Sequence, residues 1–107
     1  EIVELINAAA GYGYDVSSMM EAGLRIFHLK RCINYRFGLN ASNDDLTPRL
    51  KEPACDGYTA GIEINFEEMK NKFYELMEFD PAMGVSSRGR LVALGLIEEA
   101  KFIWPEK

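Results

Sequence analysis

The stretch DVSSMMEAGLRIFHLKRCINYRF, residues 15–37, is the longest part of this chain with one uninterrupted periodicity. Its apolar residues recur every three or four positions, which predicts an α-helix with one apolar side. We predict that this side faces the core, and it comprises Met19, Met20, Gly23, Ile26, Phe27, Leu29, Ile33 and Phe37. Asp15 is predicted to cap the first turn, because a carboxylate there accepts hydrogen bonds from free amides, and Gly38 to end the helix.

Shorter helices are predicted on both sides of this one. Residues 2–10 form a helix that ends at Gly11, and residues 66–78 form another. Asn65 is predicted to cap the latter, with Glu68 completing a capping box, and Asp80-Pro81 to end it. The face of residues 66–78 predicted to be buried comprises Phe66, Met69, Phe73, Leu76 and Met77.

The end of the chain contains one more predicted helix and an apolar tail. Ser86 or Ser87 is expected to cap a last short helix that runs through Leu94, and Gly95-Leu96 is typical of a Schellman ending. The tail FIWP, residues 102–105, is too apolar to lie free in water. We therefore expect it to dock on the helices or on a missing partner.

Between the helices, residues 39–61, LNASNDDLTPRLKEPACDGYTAG, are rich in Asn, Asp, Ser, Pro and Gly and predict a long irregular loop. Residues 61–64 are predicted to be an extended entry into the next helix. The predicted fold is all-α: a single multihelical domain over residues 1–107 with one long loop. Because the chain opens at Glu1 with a helix that lacks a capping residue, we expect it to be a fragment of a longer protein.

The composition argues against several partners. The net charge is −5 and no run of Lys or Arg is present, which argues against nucleic acid or an anionic membrane as the partner. No segment has the length of apolar residues that a membrane span needs, and no signal pattern is present, so a soluble, cytoplasmic protein is predicted. Cys32 and Cys55 are 23 positions apart and are predicted to be reduced thiols, forming neither a disulfide nor a zinc site.

Few residues suggest chemistry on their own. His28, the only histidine, is predicted to be a partly buried, hydrogen-bonded core residue, and Cys32 an inert thiol. Asp44-Asp45 is the sharper feature, because paired carboxylates can bind a cation or share a proton. The alternative is a solvated turn with an ion pair between Asp45 and Arg49. Phosphate-loop, zinc-protease and nucleophile-elbow motifs are missing from the sequence, so we predict no catalytic residue and no metal ligand in this chain.

Five ordered segments nevertheless resemble the carboxy-terminal region of the tungsten-containing aldehyde ferredoxin oxidoreductase family. They are LINAAAGYGY, MMEAGLRIFHLKRCINYRFGL, NDDLTPRL, FEEMKNKFYELMEFD and RLVALGL. The family patterns are L-x-N-A-A-T-G-W, G-E-R-I-W-N-L-E-R-x-F-N, D-D-x-L-P-x-R, E-M-L-D-E-Y-Y-E-L-R-G-W-D and K-L-E-E-L-G-L. The sequence departs from them at Leu24, Phe27, His28 and Lys30, and at the Leu46-Thr47-Pro48 step.

The resemblance implies an all-α carboxy-terminal domain of an enzyme that oxidises aldehydes to carboxylic acids and passes electrons to ferredoxin. The family holds tungsten between two pterin (molybdopterin) dithiolenes beside a 4Fe-4S cluster, and the cluster cysteines are expected upstream of Glu1, since neither Cys32 nor Cys55 matches them. The implied partners are the remaining domains of the same enzyme, ferredoxin and a small aldehyde, and a homo-oligomer is compatible with this prediction.

The resemblance also implies candidate cofactor-binding residues. The loop 43–49 is the one expected to approach the pterin or the substrate channel, through Asp44, Asp45 and Arg49. Either aspartate is expected to orient a pterin amine or a water, and Arg49 to hold an acidic group. The fragment by itself is expected to be noncatalytic. The rival hypothesis is a self-contained helical module whose apolar tail and long loop bind another protein.

Overall fold

A computed structural model describes residues 1–106 of the 107-residue chain and shows an all-α fold in them, as predicted. The extended pairings within this range are two isolated β-bridges, which join Ala54 to Ala60 and Phe79 to Ser86. The α-helices are α1 (Ile2–Ala10), α2 (Val16–Arg36), α3 (Pro48–Lys51), α4 (Phe66–Met77), α5 (Arg88–Ala93) and α6 (Ile97–Ile103).

Helix α2 begins as its sequence predicts. The Asp15 carboxylate accepts a hydrogen bond from the Ser18 amide at 2.7 Å, and the Ser18 hydroxyl accepts one from the Asp15 amide at 2.9 Å. These reciprocal bonds form a capping box, which satisfies two amides that would otherwise lack partners. Helix α1 also has its predicted bounds and ends at Gly11 in the left-handed conformation.

The buried face of α2 is only in small part the predicted one: of the predicted residues, Leu29 packs against the core. His28 and Cys32 are buried, and Leu24 and Tyr35 pack beside them, whereas the predicted core residue Met20 is 65% exposed. Ile26, Phe27, Ile33 and Phe37 are exposed as well. The prediction was wrong for these exposed residues because the helix carries two stripes with three- to four-residue spacing, and periodicity alone cannot tell which stripe meets the core.

The core lies in the carboxy-terminal third of the chain, where α5, α6 and residues 83–86 pack on the stripe of α2 that contains Cys32. Its buried apolar members are Cys32, Val85, Leu91, Leu94, Leu96, Ala100 and Ile103. Ser87 caps α5, and the Schellman ending is present: the Gly95 amide donates to Val92 at 3.0 Å and the Leu96 amide to Leu91 at 2.9 Å. These two predictions are confirmed.

Helix α6 was not predicted as a helix. It begins directly after Leu96 with no side-chain cap, so its start lacks the strongest sequence signal and is marked only by Glu98 and Glu99 in the first turn. The predicted docking of the apolar tail is confirmed: Ile103 is buried in the core, and the Trp104 indole donates to the Ser86 carbonyl at 2.9 Å. Phe102 remains half exposed.

Helix α4 has its predicted cap, but its predicted face is only partly buried, with Phe66 and Met77 half-buried. The Asn65 side chain accepts a hydrogen bond from the Glu68 amide, while Glu68 contacts the Asn65 side-chain amide rather than the backbone amide of a full capping box. Tyr74 is the buried residue of α4, and Met69 and Leu76 are exposed. The helix ends at Glu78, a left-handed residue with φ 54°, before the predicted stop at Asp80-Pro81.

The loop between α2 and α4 is less irregular than predicted. Ala41–Asn43 forms a 3-10 turn capped by Asn40, and the short helix α3 follows with a proline in its first turn. Local side-chain bonds of Asn40 and Asn43 stabilise the turn, which holds Asp44 next to α2. None of the helices in residues 1–106 combines the length and the hydropathy that a membrane-spanning helix requires.

Candidate functional site

Arg31 is the centre of the polar contacts that join α2 to the rest of the chain. Its guanidinium donates to both carboxylate oxygens of Asp44, at 2.8 Å from one terminal nitrogen, and its Nε donates to the Gly84 carbonyl. The Tyr74 hydroxyl also donates to Asp44. The side chains of Arg31 and Asp44 are 16% and 26% exposed, so this ion pair is largely withdrawn from solvent. One side chain thus ties together α2, α4 and two loops.

The turn that presents the Gly84 carbonyl is built by Asp80. Its carboxylate accepts from the amides of Ala82 and Met83, at 3.0 and 2.7 Å, and its backbone pairs with Val85. Gly84 has φ 66°, a conformation that favours glycine. A Cβ atom there would lie 2.7 Å from the Ala41 backbone nitrogen and from Arg31. Glycine is therefore required both by the turn and by the space around it.

The charges of this cluster are fixed near neutral pH. Burial, the largest influence, raises the pKa of Asp44, but hydrogen bonds from Arg31 and Tyr74 and the charges of Arg31 and Lys70 outweigh it, so the pKa is lowered. Burial and the adjacent Asp44 carboxylate raise the pKa of Tyr74 to about 12. Asp44 is therefore an anion and Tyr74 a neutral hydrogen-bond donor.

A cleft of about 580 Å³ opens above this cluster, between α2 and α4. Phe27, Phe73 and Phe79 form much of one side, and the Phe27 and Phe79 rings are stacked with centroids 6.1 Å apart. Clefts of this size that combine apolar walls with a few polar groups are typical of small-molecule sites. We call this space the α2–α4 cleft. Its polar lining comprises Lys30, Arg31, Asn34, Asp44, Lys70 and Tyr74.

Of the three residues that the sequence pointed to, the structure brings one into the cleft. Asp44 lines it, whereas Asp45 and Arg49 are exposed on the loop that follows. Asp45 pairs with Lys51 at 2.6 Å, not with Arg49, so the ion pair expected in the alternative interpretation is wrong. A hydrogen bond from Lys51 lowers the pKa of Asp45. The two aspartates do not share a proton, because each has its own cation.

Arg31, Tyr74, Lys30, Asn34 and Lys70 were missed as site residues. The signal for Arg31 was present in the sequence: no acidic residue lies three or four positions away on α2, so a cation in mid-helix has no local partner. Tyr74 adjoins the predicted face of α4, of which Phe66, Met69 and Phe73 also line the cleft, but no pattern within α4 indicates a partner for its hydroxyl. Pairing across loops can be seen only when the chain is folded.

His28 lies just beneath the cleft and outside its lining. It is fully buried, with Nδ1 2.6 Å from the Ser86 hydroxyl and its ring against Phe79, so the prediction of a hydrogen-bonded imidazole is confirmed and its burial is complete rather than partial. Burial lowers the pKa of His28, which keeps it neutral at neutral pH. Burial raises the pKa of the Cys32 thiol to about 11, as expected for an inert thiol.

The side chains of residues 1–106 do not fit a metal centre. No three His, Cys, Asp or Glu side chains in this range lie close enough together to hold a metal ion. The two free cysteines differ in environment, with Cys32 buried and Cys55 exposed on the loop after α3, and two thiols cannot supply the four ligands of a 4Fe-4S cluster.

Comparison with known proteins gives one consistent relationship. The sequence profile described as "Aldehyde ferredoxin oxidoreductase, domains 2 & 3" matches residues 1–96. The tungsten-containing aldehyde ferredoxin oxidoreductase of Pyrococcus furiosus is 30% identical over 97 residues, covering 89% of this chain and 16% of that protein. The protein of the same name from Thermococcus kodakarensis is 29% identical over 75 residues, covering 68% of this chain and 12% of that protein. The chain spans about one sixth of the length of the first relative.

Proposed function

Because this chain belongs to the aldehyde ferredoxin oxidoreductase family, we propose that it forms helical parts of domains 2 and 3 of a tungsten-containing oxidoreductase. The proposed enzyme oxidises aldehydes to carboxylic acids and passes the electrons to ferredoxin in the cytoplasm. The observation that carries this proposal is the match of residues 1–96 to one family, together with two relatives that bear the same enzyme name.

The redox group of the proposed enzyme is held by residues other than those described. A tungsten-pterin group and a 4Fe-4S cluster held elsewhere in the enzyme would supply the redox chemistry, while the surrounding protein supplies position, field and exclusion of water. We propose that this chain belongs to the surrounding protein, which positions the redox centre and excludes water from it.

The Arg31 cluster is consistent with this structural role. It ties the turn at Asp44 to α2 and α4 through partly buried, charge-assisted hydrogen bonds, which are the stronger kind. The next residues of the loop, Asp45 to Arg49, are thereby held at one end and exposed at the other. We propose that this exposed part approaches the pterin or the substrate channel, where Asp45 orients a polar hydrogen and Arg49 holds an acidic group.

The shape of the chain supports packing against further domains. Its accessible surface is 8126 Å², whereas a closed domain of its mass would expose about 6,000 Å². Its radius of gyration is 17.9 Å, compared with about 13 Å for a compact domain of this length. The excess surface includes apolar residues of α1 and the outer face of α2. We propose that other domains of the same enzyme cover them.

The proposal is tested on the natural full-length protein. We expect the purified protein to contain tungsten, iron and acid-labile sulfide, and to reduce ferredoxin when an aldehyde is added without oxygen. Elemental analysis and the absorbance change of ferredoxin measure the two properties independently. A full-length protein that lacks both metals, or that holds them and oxidises no aldehyde, would contradict the proposal.

The roles proposed for the loop residues have their own test. In the full-length enzyme, Asp45→Ala and Arg49→Ala are expected to lower aldehyde turnover or tungsten content while leaving the thermal midpoint unchanged, because both side chains are exposed. Glu52→Ala, an exposed carboxylate just after α3, is the matched control. Turnover and metal content equal to the control would remove Asp45 and Arg49 from the site.

A further inference from the structure

We propose that the loop between α3 and α4, residues 52–65, contains a site of spontaneous backbone modification, at which Asp56 converts to isoaspartate through a succinimide formed with the Gly57 amide. This goes beyond the proposed redox function, because the reaction takes place within the loop itself and consumes nothing except water. Three features support the proposal: the identity of the residue after Asp56, the exposure of the loop, and the absence of contacts that restrain the two reacting groups.

The reaction joins a side-chain carboxyl group to the amide that follows it. The Gly57 nitrogen forms a bond to the carboxyl carbon of Asp56, and the carboxyl hydroxyl leaves as water together with the amide proton. Water then adds to the resulting ring and opens one of its two carbonyl–nitrogen bonds. Opening at the original backbone carbonyl leaves the chain joined through the side-chain carbon, which is isoaspartate. No electrons are transferred, and the product has the same mass as the starting chain.

The residue after Asp56 favours ring closure. Asp56 is the one aspartate or asparagine in this sequence that precedes a glycine. Glycine has no Cβ atom to crowd the closing ring, and its backbone rotates more freely than that of any other residue. Gly57 has φ 80°, and a Cβ atom built on it would meet nothing within 4 Å. The peptide between the two residues is therefore unhindered by its surroundings.

Both reacting groups are free in the folded protein. Asp56 and Gly57 are exposed, and the hydrogen bonds and ion pairs among residues 1–106 include neither the Asp56 carboxylate nor the Gly57 amide. The loop is closed on either side of them, where the Gly61 amide donates to the Ala54 carbonyl at 3.0 Å. The closure leaves the tip of the loop able to rotate, so the fold should protect this peptide little.

The other aspartates of residues 1–106 lack this combination. They are Asp15, Asp44, Asp45 and Asp80. The carboxylates of the first three accept hydrogen bonds from Ser18, Arg31 and Lys51, respectively. The fourth precedes Pro81, whose nitrogen has no proton to lose. These four residues therefore provide internal controls within the same chain.

The modification changes the loop and leaves the core intact. It adds one carbon to the backbone between Ala54 and Ala60, the residues whose β-bridge closes the loop. The side-chain carboxylate is replaced by a backbone carboxylate, so the net charge stays the same. Because the buried core residues lie in α2 and in the carboxy-terminal third of the chain, we expect the thermal midpoint to be unchanged by the modification.

The first experiment follows the native full-length protein during prolonged incubation at neutral pH. Trypsin releases the peptide of residues 52–70, and chromatography with mass spectrometry separates its isoaspartyl form from the aspartyl form of equal mass. We expect isoaspartate to accumulate at Asp56 and not at the four control aspartates. A chain without isoaspartate at Asp56, or with equal amounts at a control aspartate, would overturn the proposal.

The second experiment uses variants of the same loop. Gly57→Ala should slow the formation of isoaspartate by about tenfold, because a side chain at this position crowds the closing ring. Gly61→Ala is the matched control: Gly61 also has a left-handed φ, 72°, and open space at its Cβ position, but it follows no aspartate. Equal rates in the two variants would overturn the proposal.

A third measurement tests whether the fold leaves the site free. A synthetic peptide of residues 52–64 gives the rate without tertiary structure, and we expect the rate in the native full-length protein to lie within about threefold of it, since an exposed loop tip opens at little cost in free energy. A much slower rate in the native protein would show that the loop is held or covered, and would overturn the proposal. Absence of tungsten would contradict the proposed function without affecting any of these rates.

Discussion

Arg31 shows how much one side chain can depend on residues far from it in the sequence. Its partners Asp44, Tyr74 and Gly84 are 13, 43 and 53 positions away. A guanidinium can serve them all because it presents five donors in a rigid plane, and its positive charge also lies 5.5 Å from the centre of the Phe79 ring. A lysine has a single ammonium group, which cannot donate to all of these partners at once.

We therefore expect Arg31→Lys to destabilise the protein by roughly 2 kcal/mol, because it keeps the charge but loses at least two hydrogen bonds in a largely buried position. Chemical denaturation measures the difference. Arg88→Lys is the control, since Arg88 pairs with Glu106 at the surface, where ion pairs contribute little. Losses of equal size in the two variants would show that the Arg31 contacts add no stability.

Tyr74 makes the cluster sensitive to alkali. Its pKa is raised to about 12 in the folded protein, against about 10 in an unfolded chain. The folded state thus holds the phenolic proton more tightly, so this stabilisation is complete below pH 10 and is lost as the pH rises from 10 to 12. The free energy of unfolding, measured across that range, should decrease less steeply with pH in Tyr74→Phe than in the wild type. Parallel pH profiles would contradict the raised pKa.

The two cysteines should differ sharply in reactivity. Cys32 is buried and its pKa is raised to about 11, whereas Cys55 is exposed. At pH 8 iodoacetamide should modify Cys55 and leave Cys32 intact until the protein is unfolded, because the thiolate is the reactive form and needs access. Peptide mass spectrometry reports each site separately. Equal labelling of both thiols in the native protein would show that α2 is not packed on the core as described.

At the scale of elements, the turn between α4 and α5 determines where α2 and the long loop meet. Asp80 organises the turn, and Gly84 lets the Ala41 backbone and Arg31 approach closely. The α4–α5 turn, the long loop and α2 therefore meet at Gly84, and the geometry of this contact requires a residue without a side chain.

Gly84→Ala should destabilise the protein by roughly 2–4 kcal/mol, because it adds a strained left-handed residue to a backbone contact that cannot yield easily. Gly89→Ala is a matched control: Gly89 lies inside α5, has open space at its Cβ position and should be neutral or slightly stabilising on substitution. Thermal unfolding of both variants provides the comparison. A Gly84→Ala variant as stable as the wild type would mean that the turn is not constrained as described.

At the scale of the whole molecule, the chain has a small core and a large surface. The core occupies the carboxy-terminal third, while α1 contributes no buried residue and exposes Ile2 and Leu5. An extended chain with exposed apolar helices is typical of a protein that packs against further surfaces.

The 107-residue chain produced alone should consequently self-associate. We expect its sedimentation coefficient to rise with concentration, because apolar surface left uncovered associates with itself, and Ile2→Gln/Leu5→Gln should reduce the effect. Sedimentation velocity over a hundredfold concentration range measures both. A chain that remains monomeric at every concentration would indicate that these helices need no covering surface.

The sequence alone determined what depends on near neighbours. The helices α1, α2, α4 and α5, the caps at Asp15, Asn65 and Ser87 and the Schellman ending follow from periodicity and from bonds within a few residues. The family could also be recognised from the sequence, because five segments resemble the family patterns in the same order although the residues between them differ. Asp44 was singled out for the same local reason, as one of two adjacent carboxylates.

Only the tertiary structure decided which helix faces are buried and which side chains meet. Both α2 and α4 carry apolar residues on more than one face, so the choice was made by the contacts of His28 with Ser86 and of Tyr74 with Asp44. The α2–α4 cleft follows from those choices. Such contacts join residues 30 or more positions apart, and their energy exists only after the chain has paid the entropy of closing the loops between them, which no local pattern records.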